Sequence, residues 1–137
     1  MRVAVVGAGI FGVTTALKLA ENHEIDLYER LDDILKGASG VNQYRLHRGY
    51  HYPRSRETAI ACLRSESLFT QKFKSALIED VEHYYCISKR DTLTSADQFQ
   101  DFCKASNLEY ERAAVDLVNH NSIDLCVRVH ENLLDPI

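Results

Sequence analysis

The chain has 137 residues, enough for one domain or for one domain plus part of another. Its hydrophobic content of 45% supports a real core, and a formal net charge of −4 gives nothing to attract nucleic acid or an anionic membrane surface. No apolar run approaches the roughly 20 residues needed to span a bilayer, and Cys62, Cys86, Cys103 and Cys126 are spread without a C-x-x-C pair. They read as small core residues in a reducing compartment, and neither a metal site nor a disulfide framework is expected.

Arg2 to Val6 is an apolar run suited to a buried parallel strand. Gly7, Gly9 and Gly12 follow in a G-x-G-x-x-G turn, with Ile10 and Phe11 between them, and Val13, Ala16, Leu17 and Ala20 then fall at helical spacing. The three glycines act differently. Gly7 permits a tight turn, Gly9 allows close approach to a pyrophosphate, and Gly12 allows close helix–sheet packing. The helix starting there aims unpaired N–H groups and its positive dipole end at phosphates. Ile25 and Leu27 alternate with polar neighbours in a second strand closed by Glu29. That acid lies about 20 residues past the central glycine, where a carboxylate accepts hydrogen bonds from a ribose 2′-OH. Strand, glycines, helix, strand and acid in this order predict dinucleotide binding. Arg2 ahead of an apolar stretch also has the look of a secretory signal, but three glycines inside it and no small-x-small cleavage site argue against one.

Leu31 to Lys36 can make a short helical turn, and Gly37 to Gly40 a small-residue loop. Arg45 to Tyr52 is rich in Arg, His and Tyr and ends at Pro53. His47 and His51 have metal-ligand spacing for a helix, but Gly49 and Pro53 make a helix there improbable, so no metal site is expected. Ser55 is an N-cap for a long helix through about Ile78, with Ala59, Cys62, Leu63, Phe69, Phe73, Ala76 and Leu77 on its apolar face. His83 to Ser88 reads as a strand, and Ser95 to Gln98 is a capping box opening a helix to about Ser106 that buries Phe99, Phe102 and Cys103. Asn107 stops it. Leu108 to Ala114 can form a short strand, Asn119 to Ser122 a turn, and Leu125, Val127 and Val129 alternate in a last strand. Only two parallel strands are convincing, whereas a doubly wound sheet needs at least three. The expectation is an incomplete fold, the front portion of a larger protein.

Three stretches resemble the FAD-dependent oxidoreductases of the D-amino-acid oxidase superfamily. They are VAVVGAGIFGVTTALKLA with Glu29 and Arg30, the segment Gly37 to Asn42, and Val129 to Pro136, similar to that family's V-x-E-x-x-x-D-P stretch. Asn42, His47, Gly49, Tyr52, Pro53 and Ser55 look most like the L-2-hydroxyglutarate oxidase branch, although Gln43 and Tyr44 stand where that branch has small residues. The resemblance implies an α/β fold. A Rossmann-like, glutathione-reductase-like βαβ segment for FAD would occupy residues 1–79, and a mostly antiparallel α+β substrate domain would begin at 80–137. It also implies transfer of a hydride equivalent from a C–H bond beside an amine or hydroxyl to flavin N5, on a small amino or hydroxy acid, in a cytoplasmic enzyme. The isolated chain is expected to bind FAD weakly and to lack turnover.

Gly7, Gly9, Ile10, Phe11, Gly12 and Glu29 are the cofactor residues expected first, with Arg30 over the adenine or simply solvated. Ser39, Gly40 and Asn42 are expected at the pyrophosphate or flavin, or else form an ordinary polar loop. Arg45 and His47 are candidates for the flavin or a substrate carboxylate, because Arg binds carboxylates bidentately and His can act as a base near neutral pH. Exposed or core-satisfied side chains are the competing reading there. Two alternatives remain for the function, an NAD-dependent dehydrogenase fragment and a non-catalytic Rossmann-like binding module.

Overall fold

A computed structural model of the chain describes residues 1–135, so Pro136 of the family-like stretch lies outside the described residues. The chain forms two compact units, Met1–Gln43 and Tyr44–Ile137. The first contains β1 (Arg2–Val6), α1 (Ile10–Ala20) and β2 (Glu24–Tyr28), with β1 and β2 parallel in the register Val3 to Ile25 and Val5 to Leu27. Parallel pairing follows from the connection. A helix returns the chain to the same end of the sheet, so the second strand runs the same way as the first. Val3 and Val5 are part-buried while Ala4 and Val6, pointing the other way, are exposed. Leu31–Lys36 forms bends and a turn in place of the expected helical turn. Leu35 takes a left-handed φ of 61°, and its N–H reaches the Ala8 carbonyl at 2.8 Å, which ends any helical progression there. Ala38–Gly40 is a single 3-10 turn.

The second unit carries two antiparallel sheets, in line with the antiparallel character expected of its later strands. One has β3 (Arg45–Leu46), β8 (Asn132–Leu134) and β4 (Leu77–Ile78), in that order. The other has β5 (Glu82–Ser88), β7 (Ile123–His130) and β6 (Tyr110–Arg112). Leu125, Val127 and Val129 turn one face of β7 inward to Phe99, Phe102 and Cys103 of α3 (Ala96–Ala105), with Tyr50 and Ala59 completing the cluster. Each large side chain buried in this way contributes roughly 1.5–3 kcal/mol. The capping box at α3 is complete. Gln98 N donates to Ser95 Oγ at 3.2 Å, Ser95 N donates to Gln98 Oε1 at 2.9 Å, and Asn107 leaves the helix with φ 52°.

Two expectations need correction in this unit. Helix α2 spans Arg56–Lys72 and does not continue to Ile78, because Leu77 and Ile78 pair with Leu134 and Leu133 of β8. The strand partner lies over fifty residues away, beyond the reach of local periodicity. Ser55 holds the N-cap position of α2 as expected, but its Oγ pairs with Thr58 Oγ1 at 2.7 Å and caps no backbone amide. The compact units meet at Gln43, and Tyr50 and Ala59 are buried with the core of the antiparallel unit. Of the cysteines expected in the core, Cys103 and Cys126 are buried, Cys62 is half-buried and Cys86 is exposed.

Gly49 is the tightest backbone approach in this unit. Its φ is +112°, and a Cβ there would stand 2.8 Å from Ala59 Cα on α2. Gly49→Ala therefore combines a strained backbone with overpacking against helix backbone that has no room to yield. Urea denaturation should show a loss of about 2–4 kcal/mol. A loss under about 0.5 kcal/mol, the ordinary range of a surface change, would show that this contact does not hold α2 in place.

Candidate functional site

In the first unit the glycine turn, the start of α1, Glu29 and the Ala38–Gly40 turn come together. Gly7 turns with φ +97°, and its N–H donates to the Tyr28 carbonyl at 2.7 Å, tying the exit of β1 to the end of β2. A Cβ on Gly12 would run into the Gly7 carbonyl, so the first turn of α1 lies directly against the turn that precedes it. Glu29 follows β2 and folds back on this turn. Its Oε2 accepts from Ala8 N at 2.6 Å, and its Oε1 accepts from Arg30 N at 2.8 Å and Leu31 N at 3.0 Å. The Ala8 amide, then that of Leu31, holds the carboxyl below its ordinary value of 4.5, so it stays ionised at neutral pH.

Ser39 closes the other side. Its Oγ accepts from Ile10 N, the first amide of α1, at 2.9 Å, and a Cβ on Gly9 would stand 3.3 Å from that same Oγ. Asn42 Nδ2 donates to the carbonyls of Ala38 at 3.1 Å and Ser39 at 2.8 Å, which holds the 3-10 turn. Gly40 packs against the Leu35 carbonyl, where a side chain would clash. Phe11 is 85% exposed and Arg30 is exposed, so the structure gives neither an internal packing role. The arrangement has features a dinucleotide would use. Amides at a helix N-terminus have no intrahelical acceptor, Gly9 keeps the approach free of a Cβ, and Glu29 Oε2 has one protein donor and a further lone pair.

Arg45 and His47 belong to the other unit, and there they meet an acid. The Glu131 carboxylate has no solvent exposure and accepts from Arg45 Nη2 at 2.6 Å, Arg48 N at 2.9 Å and Tyr85 Oη at 3.2 Å. His47 Nδ1 lies 3.8 Å from the same carboxylate, and the Arg45 guanidinium stands 5.0 Å over the Tyr85 ring. Arg45 thus has an internal partner at Nη2, while its buried Nε has no hydrogen-bond partner. Burial lowers the pKa of His47 against the opposing pull of Glu131, and burial followed by the field of Arg45 lowers that of His83. Burial followed by the Glu131 charge pushes the Tyr85 phenol up, and Tyr50 rises to about 12 for the same first reason. His47 and His51 stack at 5.6 Å, and among the described residues no group of three or more His, Cys, Asp or Glu is placed to hold a metal ion.

Glu131, Arg48 and Tyr85 are partners that sequence reasoning missed. The signal was faint but present. Glu131 is a lone acid between two apolar strand segments, in a chain with an Arg- and His-rich stretch at residues 45–52. An acid in that setting needs a cation or it does not stay buried.

Comparison with known proteins adds the family. Residues 2–126 match the family described as FAD dependent oxidoreductase, DAO. The FAD-dependent monooxygenase kojA of Aspergillus flavus is 33% identical over 112 residues, covering 77% of this chain and 26% of that protein. The FAD-dependent monooxygenase FPY4 of Fusarium mangiferae is 26% identical over 142 residues, covering 95% of this chain and 36% of that protein. The chain thus spans about a quarter to a third of the length of these relatives. It belongs to the DAO family of FAD-dependent oxidoreductases.

The Glu131 cluster makes two predictions. Glu131→Leu strands Arg45 without its counter-charge and should cost about 3–5 kcal/mol in chemical denaturation, whereas adding Arg45→Met should restore most of the loss. Strictly additive losses in the double variant would show that the pair is not coupled. His47 and His83 both have folded-state pKa values below the ordinary 6.5, so the unfolded chain binds more protons than the folded one as pH drops beneath that value. Stability should be fully present above about pH 6.5 and decline below it, with the decline reduced in a His47→Asn, His83→Asn variant. Equal thermal midpoints for both proteins across that window would refute the assignment.

Proposed function

We propose that the Met1–Gln43 unit binds the adenosine diphosphate half of FAD. In this reading the amides at the start of α1 beyond Ile10, whose N–H Ser39 already holds, receive the pyrophosphate, Glu29 accepts from the ribose hydroxyls, and Ser39, Gly40 and Asn42 flank the pyrophosphate or flavin. Arg30, being exposed, is free to cover the adenine. The observation that carries the reading is the Glu29 carboxylate turned onto the glycine loop through its bond from Ala8 N. A 2′-phosphate would meet that negative charge, which favours FAD over a phosphorylated dinucleotide.

In the whole protein we propose oxidation of a small amino or hydroxy acid, with residues 1–79 serving the cofactor and 80–137 beginning the substrate domain. When bound, FAD supplies the acceptor for a hydride equivalent from the C–H bond beside the amine or hydroxyl. His47, neutral at pH 7 by its lowered pKa, is suited to accept a proton there. Arg45, neutralised by Glu131, serves better as a positioning residue for the 45–52 stretch than as a free carboxylate clamp. The order of Asn42, His47, Gly49 and Tyr52 supports a hydroxy acid, while the names of the fungal relatives favour a second reading, monooxygenation. Anaerobic mixing separates the two. Bleaching of the flavin by an amino or hydroxy acid alone supports oxidation, and its absence supports the second reading.

Cofactor binding is tested by visible absorption of the purified protein and titration with FAD. Gly9→Val drives a side chain into Ser39 and should abolish measurable binding. Glu29→Ala should weaken binding about 10- to 100-fold, the worth of a charge-assisted hydrogen bond. Unchanged affinity in both variants would overturn the site.

A further inference from the structure

Cys86 and Cys126 face each other directly across β5 and β7, with their sulfurs 3.3 Å apart. The register makes this pairing specific. Ala113 N donates to the Cys126 carbonyl at 3.0 Å, so the backbone polar groups of Cys126 point away from β5 toward the β6 side. Relative to β5, Cys86 and Cys126 therefore form a non-hydrogen-bonded pair, the kind with Cα atoms about 4.5 Å apart and side chains closest. That separation lies inside the range of about 4.4–6.8 Å a disulfide needs, so bond formation asks for side-chain rotation and no strand movement. Cys86 is exposed and Cys126 is 7% exposed, which gives one sulfur to meet a reagent and a second to resolve it. Cys103 differs, being fully buried with its thiol pushed up to about 12 by burial.

We propose that Cys86 and Cys126 form a reversible thiol–disulfide site whose co-reactant is a low-molecular-weight disulfide. The Cys86 thiolate attacks one sulfur of RSSR, breaking its S–S bond and releasing RS⁻, to leave a mixed disulfide at Cys86. The Cys126 thiolate then attacks Cys86 Sγ, forming the Cys86–Cys126 bond and releasing the second RS⁻. The protein loses two electrons and two protons, and RSSR becomes two RSH. Partial burial and the Cys126 contact push the Cys86 thiol up to about 11, so the exchange is slow at neutral pH and quickens in alkaline buffer. The bond would lock β5 to β7 next to Tyr85 and just before Glu131, a staple independent of the flavin reading.

The full chain, incubated with oxidised glutathione in mildly alkaline buffer, alkylated and peptide-mapped, provides the test. The expected product is one linked peptide pair, Cys86 with Cys126, about 2 Da lighter than the reduced protein and reversed by dithiothreitol, with Cys62 and Cys103 alkylated. In Cys126→Ser, which lacks the resolving thiol, a glutathione adduct should persist at Cys86. No linked pair in the unaltered chain, a link through Cys62 or Cys103, or a persistent adduct at Cys86 beside an unreacted Cys126 would each overturn the proposal. Should Cys126→Ser fail to fold, the map of the unaltered chain decides alone.

Discussion

A carboxylate withdrawn from water must be met by donors on every side, and Glu131 is where this chain faces that constraint. Two side chains, one backbone amide and a nearby imidazole converge on it, and they come from β3, the loop after β3, and β5. Satisfying one buried charge therefore ties residues 45–48 and Tyr85 of β5 to Glu131, which are far apart in sequence. The apolar cluster of Phe99, Val127 and Val129 supplies most of the burial, but apolar packing is not directional. The hydrogen bonds to Glu131 are directional and set how the 45–52 stretch is held against the sheet.

Glu29 shows the same functional group in the opposite setting. It is exposed, and its carboxylate is held by three backbone amides, with the charge of Arg30 a smaller influence. An exposed charge keeps its solvation and can exchange a water for a ligand hydroxyl at little cost, while a buried one cannot. The difference leaves one acid open to solvent and commits the other to organising the fold, although both are glutamates placed just after a strand. It also changes the reading of Arg45. A guanidinium receives a second carboxylate less readily once its charge is paired, and here the protein's own acid holds Nη2 of Arg45.

The two units also differ in how completely their strands are covered. Parallel strands are ordinarily buried on both faces. The β1–β2 pair has α1 against one face, while Val6 on the other is 86% exposed and Tyr28 is 55% exposed. In the antiparallel unit the β5–β7–β6 sheet needs only one covered face. Its outer face carries Arg128 bonded to both Glu82 and Glu111, as a solvated surface should.

Local chemistry was legible in the sequence wherever the partners are near neighbours. The glycine turn, α1, the capping box at Ser95 and the alternation in β7 each depend on residues a few positions apart, so composition and spacing suffice to find them. The outcome was different where the partner is remote. Leu77 and Ile78 look helical until β8 pairs with them, Leu31 to Lys36 looks helical until the Leu35 amide meets Ala8, and Arg45 looks available until Glu131 arrives. In each case a long-range hydrogen bond outweighs a weak local preference, because propensities differ by tenths of a kcal/mol per residue and an unmet buried polar group costs about 1–3 kcal/mol. Sequence alone determined that this chain carries a glycine turn between a strand and a helix, followed by a second strand that ends at an acid. Which side chains are spent on holding the protein together, and which remain for a ligand, was decided only by folding.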